Sequence, residues 1–578
     1  MVASRETRPV SDRVRMLSRV KSWLSESKKA AICLTIVMLL EQAALALVKS
    51  TFHTFTPSYT KLRSSSVIVV SSVFSGTYSV LSPLFGWMAD RRFGYYTILV
   101  SALLLYTLSS IPLCYAIGSV LAYDESDDTD VSSRKAAYSI GIVGTAFGAA
   151  ATRATLIPYT LEQFSDGTES HSTISNLVTI SYLSAMIGEL LALIIDIGLV
   201  YSNLPNYKFC IYFLIPVSFS FALFLLIIWR RNLRTHAKLD YSPSVCNIIA
   251  TGCGCYISSD PPYYDRRELP IKNEEEKQCD RRDEHRQRLG VIIPILFSLI
   301  PFFAVYTQIR QTFVAQASHM DIAQDSRRQR WDKQDQNITS QYCKANTISR
   351  IVVPAEVVHV GCIASIVIMI PIATCIVPKL YVRWLNRAPA MLERICIGLL
   401  LCTLSCVFAT ITEVIRINAG EMHHICVSIP MHCCRSQLII YSSVSVLVQI
   451  PQHLSLGLGS ALIAISVREF TLSRAPCEFR CTAYSATFFI KGLGTFAGLL
   501  IIVVIKKAHC YYDQPIDPLR VHENITRLLH NESESKAWVC YTVLTIIMIV
   551  SVSIFLWVKY RHKDVSRKER DHIYKQSC

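Results

Sequence analysis

Charge is scarce in this sequence. Asp, Glu, Lys and Arg together make up 17% of its 578 residues, against about 25% in an average soluble domain. That deficit excludes a water-facing surface over most of the chain and points to a bilayer. A disulfide framework is missing too: the 21 cysteines scatter through apolar segments and loops, unlike those of a small secreted scaffold. The histidines, among them His423, His424 and His453, show no metal-ligand spacing on a helix. Gly457-Leu458-Gly459 lies within an apolar run and follows no strand, so it is not a dinucleotide-binding loop. No nucleophile–base arrangement is visible. No enzyme, catalytic residue, cofactor or metal site is therefore expected.

What the chain does contain is long apolar runs. They lie at residues 30–48, 67–89, 95–121, 136–158, 174–200 and 207–229, then at 290–316, 356–378, 393–412, 438–467, 484–505 and 537–558. A bilayer core about 30 Å thick needs roughly 20 apolar residues per helix, so twelve spans of an all-α polytopic membrane protein are predicted. The first run follows a basic segment, residues 1–29, which suits a retained first span better than a cleaved signal peptide. Two six-helix halves follow, 30–229 and 290–558, joined by a polar central loop at 230–289 and trailed by a basic tail at 559–578. The loop reads as a solvated linker. Its Cys246, Cys253 and Cys255 suit palmitoylation better than metal binding, because no second ligand cluster follows.

Twelve spans put both termini on one side. The termini and the loops on their side hold 35 Lys and Arg, and the opposite loops hold 18; the positive-inside rule then places the termini in the cytosol. The net charge of +15 is thus a topology signal rather than the footprint of a nucleic-acid partner. Three glycosylation sequons begin at Asn337, Asn524 and Asn531, all in loops on the opposite side. Either an endo-lysosomal membrane or the plasma membrane fits this arrangement.

The loop between spans 2 and 3 carries the sharpest motif. Pro83 through Ile98 includes Gly86, for close helix approach, and Gly94, for a tight turn. Asp90 stands at a helix end beside Arg91 and Arg92, where a carboxylate can act as a gate latch. This stretch resembles the cytoplasmic motif of the major facilitator superfamily and, more narrowly, the signature of the proton-coupled oligopeptide transporters. Further matches run in order along the chain. Residues 153–164 are similar to the family's span 4, residues 305–316 to its span 7, Glu393 to Gly398 and Glu413 to Arg416 to the two ends of its span 9, and Gln449 to Pro476 to its span 10. Glu41-Gln42-Ala43-Ala44, Ser82-Pro83, Ala304-Val305-Tyr306 and Val558-Lys559-Tyr560 resemble the peptide/histidine branch.

The resemblance implies a major facilitator fold and alternating access. It implies di- and tripeptide substrates, with free histidine in this branch, moved together with protons. The departures fall on the chemistry. The family's Glu-x-x-Glu-Arg in span 1 is Met38-Leu39-Leu40-Glu41-Gln42 here, so Glu41 is left as the proton-coupling candidate or as a neutral structural acid. The family's span 10 glutamate, which holds a peptide's amino terminus, is Ser460. The span 5 asparagine is Met186. The span 4 lysine is Arg153, still a cation able to pair a carboxylate bidentately. Tyr182 and Gln308 align with polar pocket positions, or make ordinary interhelical hydrogen bonds. Glu189, Asp196, Arg310 and Lys491 are new charges at membrane depth, where ionisable groups face a cavity or a partner. Pro301, Pro371 and Pro451 are expected kinks.

These features favour a carboxylate-bearing solute over a standard peptide. The leading expectation is a secondary transporter of small peptides, histidine or a related carboxylate solute, driven by protons if Glu41 serves. The alternative is a transporter-fold protein that no longer transports and acts as a sensor or a membrane adaptor for cytosolic partners.

Overall fold

The computed structural model describes residues 28–50, 52, 64–122, 128–164, 171–201, 207–229, 289–320, 355–419, 422–428, 436–508 and 536–561. The N-terminal segment to residue 27, nearly all of the central loop, the tail beyond 561 and the three sequons lie outside them.

The described residues are almost wholly helical. Helix α1 spans Lys28–Ser50. It is followed by α2 Ser64–Met88, α3 Tyr95–Ala122, α4 Asp128–Glu162, α5 His171–Tyr201 and α6 Tyr207–Ile228. Helix α7 is a bent pair, Leu289–Phe297 and Ile300–Ser318, turned by 43°. Helix α8 runs from Ala355–Pro371 through a π-helical segment, Ile372–Ile376, into Val377–Leu385. Then come α9 Met391–Asn418, α10 Ile450–Arg474, α11 Arg480–Lys507 and α12 Ala537–Arg561. Ten of these are long and apolar enough to cross a membrane by themselves, and the bent α7 makes an eleventh. The 22-residue, strongly apolar α6 completes twelve. This is the polytopic major facilitator fold.

The helices show why they belong in lipid. On α3, Leu104, Leu108, Ile111 and Tyr115 are exposed at intervals of one helical turn, and Phe496, Leu500 and Val504 repeat this on α11. Such stripes are unfavourable in water and neutral against hydrocarbon. Hydroxyls find partners within their own helices: Ser82 donates to the Tyr78 carbonyl at 2.9 Å, and Thr152 to that of Gly148 at 2.9 Å. Lipid offers such groups no alternative partner.

Two departures from the predicted spans matter. Residues 438–442, read as the start of span 10, instead form a strand. Strand β1, Met422–Ser428, pairs antiparallel with β2, Ser436–Ser442, in the register Ile425↔Ile439. Helix α10 therefore starts at Ile450 and runs to Arg474, seven residues beyond the predicted end. The prolines also act differently from one another. Pro301 directly follows the 43° break of α7 and so marks the kink expected there, whereas Pro451 sits in the first turn of α10, where a missing N–H is harmless. Pro371 lies inside α8 and is followed by the π segment. Beyond it, Val377–Leu385 exposes Leu380, Val382, Trp384 and Leu385 beside Lys379 and Arg383, the composition of a membrane–water interface. Asn386, with φ 53°, ends that helix in the left-handed region.

Helices α2 and α11 cross closely. A Cβ on Gly492 would stand 2.8 Å from Val80 Cγ2 and 2.9 Å from the Val80 nitrogen, and one on Gly86 would stand 2.8 Å from the Cys481 carbonyl oxygen. Small residues at such crossings let backbones pack without a side-chain layer between them.

Candidate functional site

A cavity of about 130 Å³ opens between α1, α4 and α5 on one side and α7, α10 and α11 on the other. Helical periodicity delivers its walls. Met38, Glu41 and Gln42 follow i, i+3, i+4 on α1; Ser460, Ala464 and Arg468 follow i, i+4, i+8 on α10; Tyr484, Thr487, Phe488 and Lys491 follow i, i+3, i+4, i+7 on α11.

Its N-terminal wall holds one continuous polar chain. The Glu41 carboxylate is buried, and its Oε1 accepts a hydrogen bond at 2.8 Å from the Tyr106 hydroxyl on α3. Its Oε2 accepts from the Gln42 amide. Gln42 Oε1 in turn accepts from Arg153 Nη2 on α4 at 3.2 Å. The Arg153 guanidinium lies 4.6 Å over the Tyr78 ring. Among the described residues no ion pair joins Arg153 to Glu41; Gln42 stands between them. Tyr106 is held in turn by stacking on Phe219, with ring centroids 4.0 Å apart.

The C-terminal wall carries a second guanidinium. Arg468 lies 4.7 Å over the Tyr182 ring and 5.9 Å from the centre of the Phe488 ring, and Arg153 approaches that same ring at 6.0 Å. Ser460 lines the cavity, but its hydroxyl donates to the Gly457 carbonyl of its own helix at 3.1 Å.

Of the residues singled out from sequence, Glu41, Arg153, Tyr182, Met186, Glu189, Ser460 and Lys491 meet around this one space. Gln308 does not. It is buried against α11, where a Cβ on Gly498 would stand 2.9 Å from its Cγ. The Arg310 side chain, Asn337, Asn524 and Asn531 lie outside the described residues. Two cavity cations were missed. Lys49 follows the predicted end of span 1 and Arg468 the predicted end of span 10, so both were counted as loop residues. The turn-by-turn spacing of Arg468 from Ser460 was the signal that would have found it.

The latch motif lies at the end of α2, where a π-helical segment, Ala89–Phe93, carries Asp90. Asp90 Oδ2 accepts from the Thr482 nitrogen at 2.8 Å and from its hydroxyl at 2.6 Å, while Oδ1 accepts from the Cys481 nitrogen at 3.3 Å and the Tyr95 hydroxyl at 2.9 Å. A carboxylate on α2 thus caps the first turn of α11, where the helix dipole favours negative charge. Gly94, with φ 75°, takes the turn into α3 in a conformation other residues resist. Arg91 lies 5.5 Å over the Trp87 ring.

The opposite end is held by a buried network. Arg416 Nη2 pairs with Glu413 Oε1 at 2.8 Å, both fully buried on α9. Gln316 on α7 donates to Glu413 Oε2 at 2.9 Å and accepts from Gln449 at 3.0 Å and Gln452 at 3.1 Å. Three helices are tied together in this way.

The model of the POT family matches residues 331–516. Solute carrier family 15 member 3 of Mus musculus is 22% identical over 503 residues, covering 83% of this chain and 84% of that one. Among solved structures, an auto-inhibited POT family peptide transporter superposes with a TM-score of 0.62 at 14% identity, covering 92% of this chain and 97% of its own. The POT family transporter PepTSo gives 0.60 at 13%, covering 93% and 98%. At these identities the structural likeness bears on the fold.

Proposed function

We propose that the chain is a member of the POT family, whose model matches residues 331–516, and that it is a secondary transporter carrying a small carboxylate-bearing solute by alternating access. Small peptides and histidine are members of that class. The observation that carries the reading is the unbroken chain Arg153–Gln42–Glu41–Tyr106 at the cavity wall. A substrate carboxylate reaching Arg153 competes with Gln42 for its N–H groups, because a charge-assisted bidentate contact outweighs a neutral amide acceptor. Gln42, once released, is also the donor on Glu41. Occupancy of Arg153 and the proton on Glu41 are therefore linked through one side chain, and linkage of that kind is reciprocal. Protons are the proposed coupling ion, and Glu41 is the group that carries them.

The Asp90 cap supplies one gate of the cycle, since it must release α11 when the cavity opens at that end. The Lys and Arg bias supports cytosolic termini, and an endo-lysosomal or plasma membrane suits the sequons. Proteoliposome uptake tests the reading. Carboxylate-bearing solutes are expected to enter faster under an inward proton gradient, and Glu41→Gln is expected to remove that gradient dependence while leaving binding. Uptake indifferent to Glu41→Gln refutes the coupling role. The second reading, a transport-inactive sensor or adaptor, draws on Ser460, whose hydroxyl is already engaged by its own helix. It predicts no uptake of any peptide or amino acid by correctly targeted protein.

A further inference from the structure

The charges facing the cavity do not balance. Lys49, Arg153, Arg468 and Lys491 line it against two carboxylates, Glu41 and Glu189. Unbalanced charge at membrane depth is costly and marks a place where an opposite charge arrives.

The two guanidiniums are prepared to receive it. Arg153 lies over the face of Tyr78, and Arg468 over that of Tyr182. A cation–π contact engages the flat face of a guanidinium and leaves its N–H edge unused, and that edge is the part that grips an oxyanion. In each case the edge has capacity left: Arg153 Nε and Arg468 Nη1 are buried without a hydrogen-bond partner. Both guanidinium carbons lie near the Phe488 ring, 6.0 and 5.9 Å from its centre, so at most about 12 Å separates the two. Arg153 belongs to the N-terminal half and Arg468 to the C-terminal half. Lys491, one turn from Phe488, adds a third cation on the same wall as Arg468.

We propose that the transported solute is dianionic, with two acidic groups at its ends, one held by Arg153 and the other by Arg468 with Lys491. An acidic dipeptide and a free dicarboxylate share this chemistry. This inference rests on the transport reading above and narrows its substrate class. A second negative charge offsets more of the excess of cations over carboxylates in the lining than a single one does. A dianion also bridges the two halves, so binding energy favours the state in which both walls close on the solute. A monoanion leaves the lining with a larger excess of cations than a dianion does. No group of the solute needs to be cationic, consistent with Ser460 offering no carboxylate.

The test uses purified full-length chain, with thermal stabilisation and proteoliposome uptake measured for glutamyl-glutamate, glutarate and alanyl-alanine. Ligand affinity appears as stabilisation by mass action. Glutamyl-glutamate or glutarate is expected to bind at least tenfold more tightly than alanyl-alanine. Glutarate matching the dipeptide means that the amino group is not read; preference for the dipeptide alone identifies a peptide source. Arg468→Gln is expected to weaken diacid binding at least tenfold more than it weakens alanyl-alanine binding. Equal binding of acidic and neutral ligands by the unmodified protein overturns the inference and leaves the transport reading standing. A diacid preference untouched by both Arg468→Gln and Lys491→Met also overturns it. Binding and uptake of none of the three, nor of any other peptide or amino acid, refutes the transport reading itself. If Arg468→Gln does not fold, Arg468→Lys tests the same point. It keeps the charge, removes the second N–H edge, and is expected to lower diacid affinity selectively.

Discussion

Replacing Asp90 with alanine removes every contact by which the end of α2 caps α11. Three of its four hydrogen bonds cross to Cys481 and Thr482, and the two to Thr482 are short, 2.8 and 2.6 Å. Bonds to a charged acceptor are worth about 1.5–3 kcal/mol each. Taking the lower figure for the two short ones gives about 3 kcal/mol against the closed end, a shift of roughly 100-fold in the open-to-closed ratio at about 1.4 kcal/mol per decade. Asp90→Asn keeps one acceptor oxygen without the charge and is expected to give about a tenth of that shift. The protein carries its own reporter. Cys481 is fully buried and packs against Ala89, Ile98, Ala102 and Ala151, all of the N-terminal half. Opening this end uncovers its thiol. Maleimide modification of Cys481 in detergent, mapped by mass spectrometry, is expected to accelerate strongly in Asp90→Ala and less in Asp90→Asn. An unchanged rate in a folded Asp90→Ala protein refutes the assignment of this contact as the gate.

Three further outcomes are expected. Glu413→Ala removes the buried carboxylate that pairs with Arg416 at 2.8 Å and should destabilise the protein by about 3–5 kcal/mol. A fall in the thermal unfolding midpoint checks this, and Glu413→Leu combined with Arg416→Leu should recover most of the loss. Gly492→Val drives side-chain atoms into Val80 and the Gly76 carbonyl oxygen, already within 3.0 Å of a single Cβ. Uptake should fall while membrane insertion persists, whereas Gly198→Ala, with open space around it, should leave uptake unchanged. Ser460→Glu adds a carboxylate to the cavity wall and should move binding preference from acidic toward neutral zwitterionic peptides, measured by thermal stabilisation across a dipeptide series.

The fold was legible because lipid imposes one demand on every span, about twenty apolar residues with internally bonded backbone. Hydropathy registers that demand without knowing which residues face one another. It misjudged α10 because Leu438, Ile439 and Ile440 are as apolar as a span yet pair in a hairpin ribbon. That single displacement hid Arg468, by assigning it to a loop. Lys49 was lost in the same way at the end of α1. The buried candidates were found where a motif fixed their position, as with Glu41, Arg153 and Ser460. Alignment left Gln308 open between the pocket and a neighbouring helix, because it gives a residue's place along a helix and only neighbours decide which way it faces. Here Gly498 offers the room that draws it toward α11. The role of Gln42 as intermediary between Arg153 and Glu41 had no sequence signature, since it depends on two helices meeting.

The interfacial end of α8 has a mechanical consequence. Trp384, 77% exposed, and the basic Arg383 lie just before the left-handed turn at Asn386, and such residues hold a helix end at the headgroup level. The π segment Ile372–Ile376 sits inside the same span, where a wider turn gives the helix a local point of compliance. With one end at the headgroup level and a π segment partway along, α8 is expected to answer a change in bilayer thickness by bending about residues 372–376. In the proposed transport cycle, the turnover rate is then expected to vary with acyl-chain length at constant solute gradient.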